Sequence, residues 1–125
     1  MQQTYNCIVA DDDDIDRLTT LSYIRDYPFL NVTGNYASSQ DALAAAQVTL
    51  PDILFLDIDM PGMSGLELLE NIKQKYHMPP PVVMMITAYG DAENYNMAKK
   101  LGADDFLTKP VDFTLLKEKL KTQFS

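Results

Sequence analysis

Five apolar runs alternating with five helix-period segments predict an α/β chain with a parallel sheet and helices on both of its faces. Three of the runs, Cys7–Ala10, Ile53–Leu56 and Val82–Ile86, are unbroken rather than alternating. Unbroken apolar strands belong where both faces of a sheet are covered. Val32, Gly34 and Tyr36 alternate with Thr33 and Asn35, which predicts an edge strand. Phe106 and Leu107 mark a short fifth strand.

Helical spacing fills the intervals. Leu18, Leu21 and Ile24 are expected to share one face. The same pattern runs through Leu43, Ala46 and Leu50, through Leu69, Ile72 and Tyr76, and through Phe113, Leu116 and Leu120. Met97, Ala98 and Leu101 give a shorter stripe. Ser38 or Ser39 is expected to cap the second helix, and Ser64, with Glu67 three residues on, the third. Gly102 is placed to end the fourth, and Pro79-Pro80-Pro81 stops the third before the next strand. The order is βαβαβαβαβα in about 25-residue units, with no internal repeat or linker. One domain over residues 1–125 is expected, since this length supports one hydrophobic core without disulfides.

Composition narrows the chemistry. Apolar residues make up 46% and charged residues 22%, an ordinary globular balance. The net charge of −8 argues against binding a nucleic-acid backbone. No apolar stretch approaches a membrane span, and no signal peptide precedes the first strand. The single cysteine, Cys7, is expected to be buried and inert, which suits a reducing, cytoplasmic setting. His77, Met84, Met85 and Met97 read as surface or packing residues rather than ligands.

In parallel sheets of this kind, ligands sit beyond the carboxyl ends of the strands. Asp11 and Asp12 follow the first run, Asp57 and Asp59 the third, Thr87 the fourth, and Thr108 and Lys109 the fifth. Carboxylates from two strands, a hydroxyl and a lysine therefore meet at one rim. Clustered carboxylates repel one another unless a cation intervenes, and an all-oxygen set suits magnesium. With a lysine alongside, such a rim can neutralise a small, highly charged anion beside a carboxylate nucleophile, which is what phosphoryl transfer requires. Asp13, Asp14 and Asp16 fall in the loop and first helical turn and read as capping and solvated acids.

The segment from Leu56 to Gly65, Leu-Asp-Ile-Asp-Met-Pro-Gly-Met-Ser-Gly, resembles the phosphoacceptor segment of response-regulator receivers. Asp11-Asp12, Thr87-Ala88 and Lys109-Pro110 resemble that family's acidic pair, switch threonine and lysine segment, in the same order. The likeness covers nearly the whole chain and implies a receiver domain of two-component signalling (the CheY-like superfamily). The implied fold is a flavodoxin-like (βα)5 three-layer sandwich with strand order 2-1-3-4-5.

The resemblance also implies roles. Asp57 is the phosphoacceptor, charged from a phosphohistidine on a sensor histidine kinase or histidine phosphotransfer protein. Mg2+ is held by Asp12 and Asp57, by the Asp59 carbonyl, and by Asp11 through a bound water. Lys109 pairs with a phosphoryl oxygen, Thr87 and Phe106 form the switch, and the Lys109-Pro110 bond is cis. Asp59 and Tyr89 occupy positions that tune the acyl-phosphate lifetime. Output is expected through residues 91–124, to a partner or domain, with a phosphorylation-linked dimer as one form. The chain is expected to catalyse its own modification only. Asp104–Pro110 also resembles regulators with a LytTR-type DNA-binding domain, although no output domain lies within these residues. Two alternatives stand beside this reading. Asp57-x-Asp59 resembles haloacid-dehalogenase-type phosphatases, which carry the motif after the first strand. A non-phosphorylated interaction module usually lacks the acceptor or the lysine, and this chain keeps both.

Overall fold

The computed structural model describes residues 3–75, 80–88 and 90–124. Five strands, β1 (Tyr5–Ala10), β2 (Leu30–Tyr36), β3 (Ile53–Asp57), β4 (Val82–Thr87) and β5 (Asp105–Thr108), alternate with five helices. These are α1 (Asp14–Ile24), α2 (Ser39–Val48), α3 (Gly65–Lys75), α4 (Ala92–Lys100) and α5 (Phe113–Phe124). All strand pairs are parallel, and the order is β2-β1-β3-β4-β5. The flavodoxin-like (βα)5 expectation is met.

Alternation along each strand builds two cores. Cys7, Val9, Ile53, Phe55, Met84 and Ile86 point to one face, where Leu21 and Ile24 of α1 and Leu116 and Leu120 of α5 cover them. Ile8, Ala10, Leu54, Leu56, Val83 and Met85 point to the other, against Ala42 and Ala46 of α2, Leu68, Leu69 and Ile72 of α3, and Ala98 of α4. All five residues of β3 are buried, as the central strand of such a sandwich must be. Each fully buried Leu, Ile or Phe contributes roughly 1.5–3 kcal/mol. β2 lies at the edge and, after buried Leu30, alternates exposed with half-buried residues. Its register against β1 shifts between Cys7 and Ile8, and the Thr33 hydroxyl donates to the Cys7 carbonyl there, at 3.2 Å.

Each helix start is tied by a side-chain cap. Asp13, Ser38, Ser64, Asp91 and Asp112 accept from the N–H groups of Asp16, Asp41, Glu67, Asn94 and Leu115. Ser38 rather than Ser39 caps α2, while Ser39 is buried against the Met60 sulfur. Gly102 ends α4 at φ +103°, a conformation that side-chain-bearing residues rarely adopt.

Three packing expectations need correction. Leu18 is 59% exposed, because the buried stripe of α1 is Thr20, Leu21 and Ile24 and Leu18 points to its solvent side. Leu50 lies past the end of α2 and is part-exposed. Met97 is 43% exposed, because the neighbouring Ala98 takes the buried position of α4. Tyr76, His77, Pro79 and Tyr89 lie outside the described residues.

Candidate phosphoryl-transfer site

The topology delivers four strand ends to one rim. β1 runs into Asp11, which is 3% exposed, and its N–H is held by the Tyr36 carbonyl at 3.0 Å. β3 ends on Asp57, 4% exposed. β4 ends on Thr87, fully buried, and β5 leads to Lys109, whose N–H donates to the Thr87 carbonyl at 2.7 Å. The Lys109-Pro110 peptide is cis. Gly65 opens α3 directly beneath Asp57. A Cβ there would collide with the Asp57 carbonyl, so only glycine lets the helix start this close.

The Lys109 ammonium is the hub. Its Nζ lies 2.9 Å from Asp11 Oδ2, 3.0 Å from Asp16 Oδ2 and 3.5 Å from Asp57 Oδ2. Asp11, Asp12 and Asp57 each bring a carboxylate oxygen within 4.8 Å of the others. Burial and then the neighbouring Asp11 charge push Asp57 up to about 7, against opposing pulls from Lys109 and the Asp59 N–H. Burial alone would lower Lys109, but hydrogen bonds to Asp11 and Asp16 and the Asp11 and Asp57 charges raise it above its usual value. One ammonium thus faces three acids, with Asp12 beside two of them, and the cluster is short of positive charge. A divalent cation with oxygen ligands fits that deficit.

Two contacts surround this hub. Thr87 Oγ1 donates to Asp59 Oδ2 at 3.1 Å, and the Asp59 N–H lies 3.4 Å from Asp57 Oδ1. Asp59 itself is exposed. Phe106 is half-buried and packs edge-on against Tyr95 of α4, with ring centroids 5.5 Å apart.

Asp11, Asp12, Asp57, Asp59, Thr87 and Lys109 therefore converge, as their strand-end positions predict. Asp13 and Asp14 keep their expected roles: one caps α1 and the other pairs with Arg17 at 2.6 Å. Asp16 does not, because it reaches Lys109. Sequence reasoning also missed Arg17, which donates to the Asp11 carbonyl at 2.7 Å and to Asn35 at 3.3 Å. Arg17 is the single cation close behind five acids, and that pattern could have flagged it.

The family model described as the response regulator receiver domain matches residues 7–121. The chain belongs to the response-regulator receiver family. This receiver domain is 36% identical, over 110 residues and 88% of its length, to a protein-glutamate methylesterase/protein-glutamine glutaminase from Halalkalibacterium halodurans. It spans 32% of that relative's length, and about a third of the length of other curated relatives it matches. Among solved structures it resembles a CheY-like response regulator receiver domain protein from Methanospirillum hungatei. The TM-score is 0.83 at 26% identity, over 97% of this chain and 94% of that one. The response regulator domain of Thermotoga maritima CheB gives 0.79 at 27% identity, covering 97% and 92%. Among the described residues of this receiver, no helix is long and apolar enough to cross a membrane. Asp57-x-Asp59 follows the third strand, not the first, and the family that matches is the receiver family.

Proposed function

We propose that Asp57 is the phosphoacceptor of this receiver, charged from a phosphohistidine on a sensor histidine kinase or histidine phosphotransfer protein. The observation that carries this reading is a buried carboxylate, 3.5 Å from a lysine ammonium, at the carboxyl end of the central strand. The Asp57 oxygen attacks phosphorus in line. The phosphorus–nitrogen bond breaks, its electron pair stays on the imidazole, and the ring takes a proton from solvent. Lys109 neutralises a phosphoryl oxygen. Thr87 gives up Asp59 and donates its hydroxyl to another.

Asp12 and Asp57, with the Asp59 carbonyl and with Asp11 through water, are the residues that would hold Mg2+. When bound, the ion supplies the positive charge that this acidic cluster lacks beyond Lys109. Asp59, next to both Thr87 and Asp57, tunes the acyl-phosphate lifetime, together with Tyr89. Movement of Thr87 is relayed through Phe106 to the 91–124 face, which contacts the output partner or domain. The domain catalyses only its own phosphorylation and dephosphorylation, and it acts in the cytoplasm.

The test is labelling with phosphoramidate and magnesium, read as acid-labile phosphate. Wild-type chain should label and Asp57→Asn should not. Labelling of Asp57→Asn at the wild-type rate would overturn the assignment. Turnover of a generic phosphomonoester above about 1 s⁻¹ would favour a phosphatase instead.

A further inference from the structure

Asp16 sits in the first turn of α1, apart from the strand ends that build the site, yet its carboxylate lies 3.0 Å from Lys109 Nζ. The geometry points to Asp16 as a positioning residue. It holds Lys109 back from Asp57 before phosphorylation and releases it to the phosphoryl group afterwards. This rests on Asp57 being the acceptor.

A lysine ammonium has three N–H donors. In this structure three carboxylates compete for them, and the acceptor has the longest contact, 3.5 Å against 2.9 and 3.0 Å. A phosphoryl group on Asp57 brings further anionic oxygens. Lys109 serves them fully only when an existing contact loosens. The two candidates differ in what they lose. The Asp11 side chain is 4% exposed, and without the ammonium its buried charge would rest on the Asp13 N–H alone among these contacts, a heavy penalty. The Asp16 side chain is 41% exposed, so water can replace the ammonium on it. The contact that yields is therefore Lys109–Asp16.

Asp16 is also held in place for this task. Its N–H is bonded to the Asp13 cap at 3.0 Å. Arg17, the next residue, ties the same helical turn to the Asp11 carbonyl, to Asn35 and to Asp14. The carboxylate is presented to Lys109 by an anchored turn rather than a free loop. Asp14 offers a matched control. It carries the same charge in the same turn, its side chain is 80% exposed, and it pairs with Arg17 instead of Lys109.

The experiment measures beryllofluoride affinity in the presence of magnesium by calorimetry, with phosphoramidate labelling alongside. Asp16→Asn should raise affinity roughly two- to fivefold, the scale of a half-exposed ion pair. Asp14→Asn should change it less, and Asp16→Glu should return it toward wild type. In a Lys109→Ala background, Asp16→Asn should have no effect on whatever binding remains. In the metal-free chain, the Lys109 ammonium nitrogen signal should move in Asp16→Asn and stay in Asp14→Asn. An unchanged affinity in Asp16→Asn, an equal gain in Asp14→Asn, or a gain that survives Lys109→Ala would each overturn the role of Asp16. A wild-type chain that forms neither adduct would instead overturn the reading of Asp57, so the two failures are separable.

Discussion

The central sheet and its rim belong to the same strands but obey opposite rules. In β3, Ile53, Leu54, Phe55 and Leu56 are fully buried apolar residues, and the next residue, Asp57, is an equally buried acid. Below the rim each side chain meets others of its kind, and burial stabilises the fold. At the rim, burial removes water from carboxylates that face one another, and one lysine answers three of them. Asp11, Asp57 and Thr87 are three of the five buried polar residues among those described, and all three end or follow strands at this rim. Burial that stabilises and burial that crowds charge are thus separated by a single residue step along a strand.

Substitutions two positions apart in β3 should therefore have opposite signs. Phe55→Ala removes a fully buried ring between α1 and α5 and should cost about 3–5 kcal/mol in urea unfolding. A cost under about 1 kcal/mol would mean that the core is not close-packed there. Asp57→Asn should instead stabilise the metal-free chain, by roughly 2–4 kcal/mol at pH 8.

That gain should depend on pH. Asp57 is raised from its ordinary 3.8 to about 7, so the fold favours its protonated form. Its stabilising contribution is complete below 3.8 and is lost as pH rises toward and through 7. The advantage of Asp57→Asn should thus shrink steadily from pH 8 to pH 5. A difference that stays constant across that range would show that repulsion is not its source.

Magnesium should narrow the contrast from the other side. At about a hundred times its dissociation constant it should add ~2.7 kcal/mol to the wild-type chain. It should add much less to Asp12→Asn, and equal gains in the two would remove Asp12 from the ligand set. The smallest effect belongs to the solvated edge of the rim. Asp14→Ala breaks an exposed pair with Arg17 and should shift stability by no more than about 0.5 kcal/mol. A larger loss would mean that Arg17 needs Asp14 to hold the Asp11 carbonyl.

Much of the site was legible because strand ends are legible. An apolar run marks a buried strand, and the polar residue that follows it must surface at the sheet's carboxyl edge. Asp11, Asp57, Thr87 and Lys109 were found that way. Helical residues were less secure. Leu18 and Met97 have helical spacing, yet they face outward, because spacing gives a helix's periodicity but not its rotation against the sheet. Asp16 failed for the same reason: it reaches Lys109 only because α1 is docked with its first turn over the rim.

The alternation of elements, the two-faced burial of the middle strands and the chemical types at the rim are all written along the chain. Periodicity and run length are local properties, and they survive in a linear reading. Folding in three dimensions was needed to settle which acids share Lys109, that Thr87 rests on Asp59, and that Arg17 braces Asp11. Those contacts join residues on separate elements across a few ångströms, and their lengths are set by how helices dock and strands register rather than by any pattern along the chain.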